Sequence, residues 1–569
     1  MTETLARARR RGLARPAAAR AAAVRGGAVT LPALGIASAL AGAALLAVRL
    51  AGDVRGKPLF EDEAVAGLVA ASPFGEMLAT VWWERGGAPL HFVLSHLALV
   101  PDGSPFALRW LSVVFALAAV PLAWDLGRRL GGHVAAGATA VAVAASPMLW
   151  VYGSFGRMYS LYVFAATLAA DLFIRALDER TTRAAVAAAL AAWLVPAVHP
   201  YGIFLVAAQA AVALWLWRGC PLRAGLPVVA VGLGLVPFLV ADLRLADRFS
   251  VGLDGEASVA PPGDAWLQLG RAFQASVGGS GWTLAFAAAL AALGFAVLVR
   301  RRAWAFLAVL LVSACLPPLL LHLARTTSAP GLSPRHLAYV VPFVAVLVGL
   351  GVARLVRGLG APAAGAALGV VAVVLALAPI AGIRDPRDWE NDVLGGGSSS
   401  AALGSRQELT DATAWLEANV DAGAVLYPYS VVYLAALPAT RDGDGLPYAQ
   451  RETLLRALTR VDAPVPEVFV SVPIGESRVD FARMDGLLGD DLERVRLGEW
   501  LLVRGEGPYR DDREVLGVVH RALAAAREST VGFKRDELGW YYTTTLWVVC
   551  GALRSLGEAC PPAPVSLNQ

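Results

Sequence analysis

Residues 31–50 read LPALGIASALAGAALLAVRL, a run whose one charge is Arg49. A helix needs roughly 20 apolar residues to cross the hydrocarbon core of a bilayer. The run is therefore either a membrane span or the apolar part of an export signal. Ahead of it stand Arg7, Arg9, Arg10, Arg11, Arg15, Arg20 and Arg25. That charge suits a twin-arginine signal as well as a cytoplasmic flank. No clear small-x-small cleavage site stands out at the end of the run, so it reads as an uncleaved first helix.

The same texture continues outward. Further Ala/Leu/Val runs lie near 107–127, 133–152, 160–177, 183–198, 202–217, 222–242, 283–300, 303–323, 336–353 and 361–381, making about eleven spans. Of the 569 residues 57% are hydrophobic and 17% charged, against about 25% charged in soluble chains. The deficit is confined to the first two thirds. The division expected is a basic segment over 1–28, a transmembrane part over 29–382, a Gly/Ser-bearing linker over 383–405 and a soluble domain over 406–569. The net charge of +4 is small. The arginines flank apolar runs, as topology requires, so nothing points to nucleic acid.

Positive charge assigns the sides. Arg128-Arg129, Arg175/Arg180/Arg183, Arg218/Arg223, Arg300–Arg302 and Arg354/Arg357 all fall on the N-terminal side if the segment 89–100 does not cross. That segment is about a dozen residues long, which favours an interfacial or re-entrant piece. The reading is a multi-pass protein of the plasma membrane with a cytoplasmic N-terminus and an extracytoplasmic tail. Loops 52–106, 243–281 and 324–335 and the turns near 156–160 and 199–200 then share the outer face.

In the tail, 408–419 and 514–527 read as helices and 424–430 and 468–474 as strands. A tight hairpin over 494–503 is expected around Gly498-Glu499. Helices among short strands indicate a small α/β domain. Cys550 and Cys560 lie in it and either pair, if exported, or remain free thiols. No Cys/His spacing suggests zinc. No cofactor is called for, and a divalent metal stays open.

Five polar clusters fall on the outer face. Glu61-Asp62-Glu63 follow the first span and supply either a proton-accepting carboxylate or the acidic first turn of a loop helix. Arg157 and Tyr159, in Gly156-Arg157-Met158-Tyr159-Ser160, suit a phosphate grip or an interfacial anchor. His199, in His199-Pro200-Tyr201, offers a hydrogen bond to phosphate or sugar, or a turn cap. Arg335 and His336 open a late span, where Arg335 suits an anionic headgroup or another anchor. Arg109, near the start of the second span, either binds substrate or pairs with Asp62 or Glu63, because a charge at that depth needs a partner. The inner face reads as plain Arg/Gly loops.

The order of these motifs resembles that of the GT-C membrane glycosyltransferases, specifically the bacterial relatives of the dolichyl-phosphate-mannose–protein mannosyltransferases. The likeness covers roughly 30–380: an Asp-Glu pair after the first span, Pro89-Leu90, Phe106-Ala107-Leu108-Arg109-Trp110, Gly156-Arg157-Met158-Tyr159-Ser160 and a late Arg335. It implies transfer of mannose or a related sugar from a polyprenyl-phosphate donor to a protein, lipid or glycan acceptor at the outer membrane face. It places Asp62 and Glu63 in the active site and Arg157 and Arg335 on the donor phosphate. Tyr159 and His199 would assist them, with Arg109, His336 and Glu61 in support. Two departures stand out. Ala88-Pro89 replaces a Pro-Pro pair, and Arg335-His336 replaces Arg-Tyr. A transporter or lipid flippase is the rival class. It calls for broken helices near mid-membrane in paired halves, which this sequence lacks. A scaffold presenting the tail is a third reading, and it leaves the charged constellation unused.

Overall fold

The computed structural model describes residues 31–217 (except 58, 85–87 and 102), 230–241, 262–278, 281–324 and 332–382. It also describes 403–436 (except 404, 421–422 and 428–429), 464–531 (except 476–477) and scattered residues of 546–559.

Helices occupy the apolar runs over their described residues. Lipid offers no hydrogen bonds, so a crossing chain must satisfy its own backbone. Five helices are long and apolar enough to cross a membrane by length and composition: Leu31–Gly56, Pro105–Gly131, Tyr159–Glu179, Gly281–Arg300 and Pro334–Leu355. Further apolar helices fill the remaining runs, among them Thr182–Val198, Gly202–Trp217, Ala230–Ala241, Trp304–Ala324 and Ala361–Gly382. The chain is a multi-pass membrane protein, mainly helical, with a C-terminal α/β part.

The run 133–152, expected as one span, is two helices, His133–Ala144 and Pro147–Tyr152. Pro147 cannot donate a backbone bond and disfavours helical geometry in its predecessor. Ser146 accordingly sits at φ −64°, ψ 124°. The late span opens with a 3-10 turn, Pro334–Val340, that runs into Val341–Leu355. Small residues let helices meet backbone to backbone. A methyl on Gly294 would lie 1.9 Å from the Leu347 carbonyl oxygen, and one on Gly351 2.1 Å from that of Leu290. The loop ends read as plain Arg/Gly are richer than expected. Arg128 and Arg129 pair with Asp125, and Arg129 also with Asp171.

The loop 52–106 folds into three short helices, Glu61–Ala71, Phe74–Glu84 and Pro89–Leu99. The last is eleven residues long, about half of a crossing. It packs between the Glu61–Ala71 and Pro105–Gly131 helices. Loop 243–281 contains a helix that no apolar run marked, Pro262–Val277. It is tied down where Ser146 Oγ donates to the Ala275 carbonyl at 3.2 Å.

The tail carries helix Arg406–Asn419, strands β1 (Val425–Tyr427) and β2 (Val465–Pro473), a two-residue β3 (Arg478–Val479), the hairpin β4 (Leu492–Leu497)–β5 (Trp500–Tyr509), and helix Asp512–Ser529. The sheet order is β1-β2-β5-β4, with β1 parallel to β2 and the other pairs antiparallel. Side chains alternate across a strand, and here both faces are buried. Val468, Val470, Leu501 and Val503 pack with Val515, Val519 and Leu523 of the last helix. On the other face Phe469, Trp500 and Leu502 share a core with Ala64, Leu68 and Leu108 of the membrane part. Leu59 N donates to the Leu403 carbonyl at 3.0 Å and stitches the two together.

Cys550 is disulfide-bonded. Cys560, one of the two cysteines read as either paired or free, lies outside the described residues. Cys315 is a free thiol.

Candidate active site

The site begins at helix Glu61–Ala71, whose N-cap is Phe60 in extended geometry. The first-turn position of the acids leaves backbone N–H groups unpaired. Glu63 reaches back to one of them, its Oε2 accepting from Phe60 N at 3.2 Å. The same carboxylate accepts from Arg109 Nε at 2.7 Å and Nη2 at 2.6 Å, and from Gly156 N at 2.8 Å. Glu63 and Arg109 are each 1% exposed. Arg109 Nη1 also donates to the Val54 and Lys57 carbonyls, at 2.9 and 2.8 Å, at the end of the first helix. A cation on a helix C-terminus complements the dipole there. Of the two roles open to Arg109, the structure shows the ion pair, and with Glu63. Gly156 is needed at that approach, since a methyl would meet Glu63 Oε1 and Leu108 Cβ, each at 3.1 Å.

Asp62, one residue earlier, faces elsewhere. Its Oδ2 accepts from Arg335 Nη1 at 3.1 Å, and Arg157 Nη1 donates to its backbone carbonyl at 3.0 Å. The Asp62 and Arg335 side chains are 32% and 22% exposed. Residues 273 positions apart thus meet at one carboxylate. Arg157 Nε is buried with no hydrogen-bond partner among the described residues. The turn that carries Arg157 is held by Ser112 Oγ, which donates to the Phe155 carbonyl at 2.6 Å.

An aromatic floor adjoins Arg335. Its guanidinium lies 6.0 Å from the Tyr159 ring centre. His199 stacks on Tyr162 at 4.9 Å, and His336 stacks on Tyr201 at 5.1 Å and lies 5.5 Å from His199. The Tyr201 N–H donates to Nδ1 of His199 and the Ser333 N–H to Nδ1 of His336, each at 3.2 Å. In a neutral imidazole the proton then resides on Nε2, which becomes a donor. Burial, and then the charges of Arg157 and Arg335, lower the His199 pKa to about 3, so this imidazole is neutral at ordinary pH.

Asp62, Arg157, Arg335, Tyr159, His199 and His336 are therefore drawn to one place. Glu63 and Arg109 lie beneath it as a sealed pair. The Glu61 side chain lies outside the described residues. Among the described residues no three His, Cys, Asp or Glu side chains converge as metal ligands.

Two residues escaped the sequence reading. Lys57 Nζ donates to the Trp150 and Val151 carbonyls, at 3.3 and 3.1 Å, and pairs with Asp53 at 3.0 Å. It is one of two lysines in an arginine-rich chain, and that rarity was the available signal. His91, in the first turn of Pro89–Leu99, is 2% exposed, and burial followed by the charge of Arg157 lowers its pKa to about 3.

No family model and no curated protein matches the sequence. The fold does match solved structures. Apo ArnT from Cupriavidus metallidurans superposes with a TM-score of 0.52 at 13% identity, over 83% of this chain and 97% of that one. The same protein bound to undecaprenyl phosphate gives 0.50 at 14% identity over the same shares. The chain thus shares the fold of ArnT.

Proposed function

We propose that this chain is a membrane glycosyltransferase that moves a sugar from a polyprenyl-phosphate carrier to a hydroxyl acceptor. The observation that carries the reading is Asp62 joined to two arginines, its carboxylate accepting from Arg335 and its backbone carbonyl from Arg157, beside imidazoles that present Nε2–H donors. The fold shared with ArnT, which binds undecaprenyl phosphate, supports the lipid-linked donor.

The chemistry follows from the groups present. The acceptor oxygen attacks the anomeric carbon and its proton passes to the Asp62 carboxylate. The bond from that carbon to the phosphate oxygen breaks, and polyprenyl phosphate leaves with the electron pair. A phosphate leaving group needs no strong acid. It needs cations aimed at the charge it develops, and Arg157 and Arg335 supply them, with His199, His336 and Tyr159 around them. Attack opposite the leaving group inverts the anomeric centre. Glu63 and Arg109 position Asp62 by fixing the helix start. The sugar is mannose or a relative, and the acceptor a protein, lipid or cell-envelope glycan. The site opens on the outer face of the plasma membrane, with the N-terminus cytoplasmic and the tail extracytoplasmic.

Membranes containing the protein, supplied with radiolabelled polyprenyl-phosphate sugars, should transfer label to acceptor, and Asp62→Asn membranes should not. Equal transfer by both refutes the reading. Reporter fusions at Gly219 and Gly395 should lie on opposite sides, and a shared side refutes the orientation.

A further inference from the structure

His199 and His336 each have one ring nitrogen occupied by a backbone N–H. His91 differs. Its Nε2 is buried and has no hydrogen-bond partner among the described residues. One helical turn later Ser95, 0% exposed, carries an Oγ in the same condition. Positions i and i+4 share one face of a helix, so the Pro89–Leu99 helix presents two unpartnered polar groups on one stripe. Arg157, which donates to the Asp62 backbone carbonyl and whose charge reaches His91, also has a buried Nε with no hydrogen-bond partner among the described residues. Buried polar groups are nearly always satisfied, because leaving them bare costs free energy that folding does not return. Two on one stripe of a helix that packs against the helix bearing Asp62 indicate partners that arrive with a ligand.

The helix is a rigid platform for the pair. His96 Nδ1 lies 2.7 Å from the Ala70 carbonyl and ties the platform to the helix that bears Asp62. The His91 ring also packs edge-on to Phe92, with centres 5.6 Å apart. His91 lies within the field of Arg157, and its neutral ring cannot compete for a phosphate with the two guanidiniums. An uncharged imidazole and a serine hydroxyl, each able to donate or accept, match an uncharged partner of the same kind.

We propose that His91 and Ser95 form a hydroxyl-binding pair that orients a substrate hydroxyl against the Asp62–Arg157 side of the site. The hydroxyl belongs to the transferred sugar or to the acceptor. The assignment rests on the transferase reading above, and it adds two binding residues to it.

The test uses the full-length purified protein in nanodiscs with polyprenyl-phosphate sugar donors, comparing wild type, His91→Phe, His91→Gln and Ser95→Ala. His91→Phe should keep or raise the melting temperature, because it removes a bare polar atom. It should also lower kcat/KM about 10- to 100-fold, the worth of a hydrogen bond whose loss strands its partner. His91→Gln should recover much of that loss, and Ser95→Ala should lose a smaller amount. A rise in donor KM places the hydroxyl on the sugar, and a rise in acceptor KM places it on the acceptor. His91→Phe with wild-type kinetics overturns the inference. Where His91→Phe does not fold, full activity in both His91→Gln and Ser95→Ala overturns it. A wild type inactive on every donor refutes the transferase reading and takes this inference with it. An active wild type with unaffected variants refutes this inference alone.

Discussion

Asp62 and Glu63 are neighbours in the chain and opposites in the fold. Glu63 is sealed, with four hydrogen bonds to Arg109, Gly156 and Phe60. Asp62 sits at the rim, its carboxylate about a third exposed and held by Arg335. A buried, fully bonded carboxylate has no lone pair to spare for chemistry. A rim ion pair is worth about 0–1 kcal/mol and opens readily for a substrate. Two identical functional groups thus divide between holding the site together and, on the proposed mechanism, working in it.

The comparison breaks most visibly at the sealed pair. Glu63→Gln or Arg109→Met strands a buried charge, which should cost about 3–5 kcal/mol of stability. Thermal unfolding in detergent measures it. Replacing both residues by leucine should recover part of that loss, and a melting temperature unchanged in either single variant contradicts the sealed role. At the rim the effect reverses. Asp62→Asn should leave the melting temperature nearly unchanged, lower turnover about 100-fold, the low end of what a general base contributes, and spare donor binding. Arg157→Ala should show mainly in donor KM, raised about 10-fold for a lost charge-assisted phosphate contact, with a smaller change in kcat. A further effect concerns pH. Folded His199 titrates near about 3 and an unfolded histidine near about 6.5, so between these values the unfolded chain holds more protons. Stability should therefore be complete above about pH 6.5 and decline as pH falls toward 3. His199→Gln should flatten that decline in melting-temperature scans.

Much of the architecture was legible because it repeats locally. The apolar runs became helices, the Gly498-Glu499 hairpin formed between β4 and β5, and 408–419 lies within Arg406–Asn419. The break at Ser146 could have been read from Pro147. The Pro262–Val277 helix mixes polar and apolar residues and lacks the long apolar run that marked the others.

Composition and charge placement alone determined that the chain is a membrane protein with a soluble tail, and that its polar side chains gather near the ends of its helices. Those properties follow from the bilayer, which acts on every residue in the same way. Only tertiary structure decided which acid is sealed and which is open. Successive residues of a helix point about 100° apart, so Asp62 and Glu63 had to face different partners, but nothing local says which one meets Arg109. Only tertiary structure brought Arg335 to Asp62, and only it showed that the second face of the tail's sheet, through Phe469, Trp500 and Leu502, is buried on the helix bearing those acids. A strand buried on both faces reads as a continuous apolar run, and such a run does not name the surface that covers it.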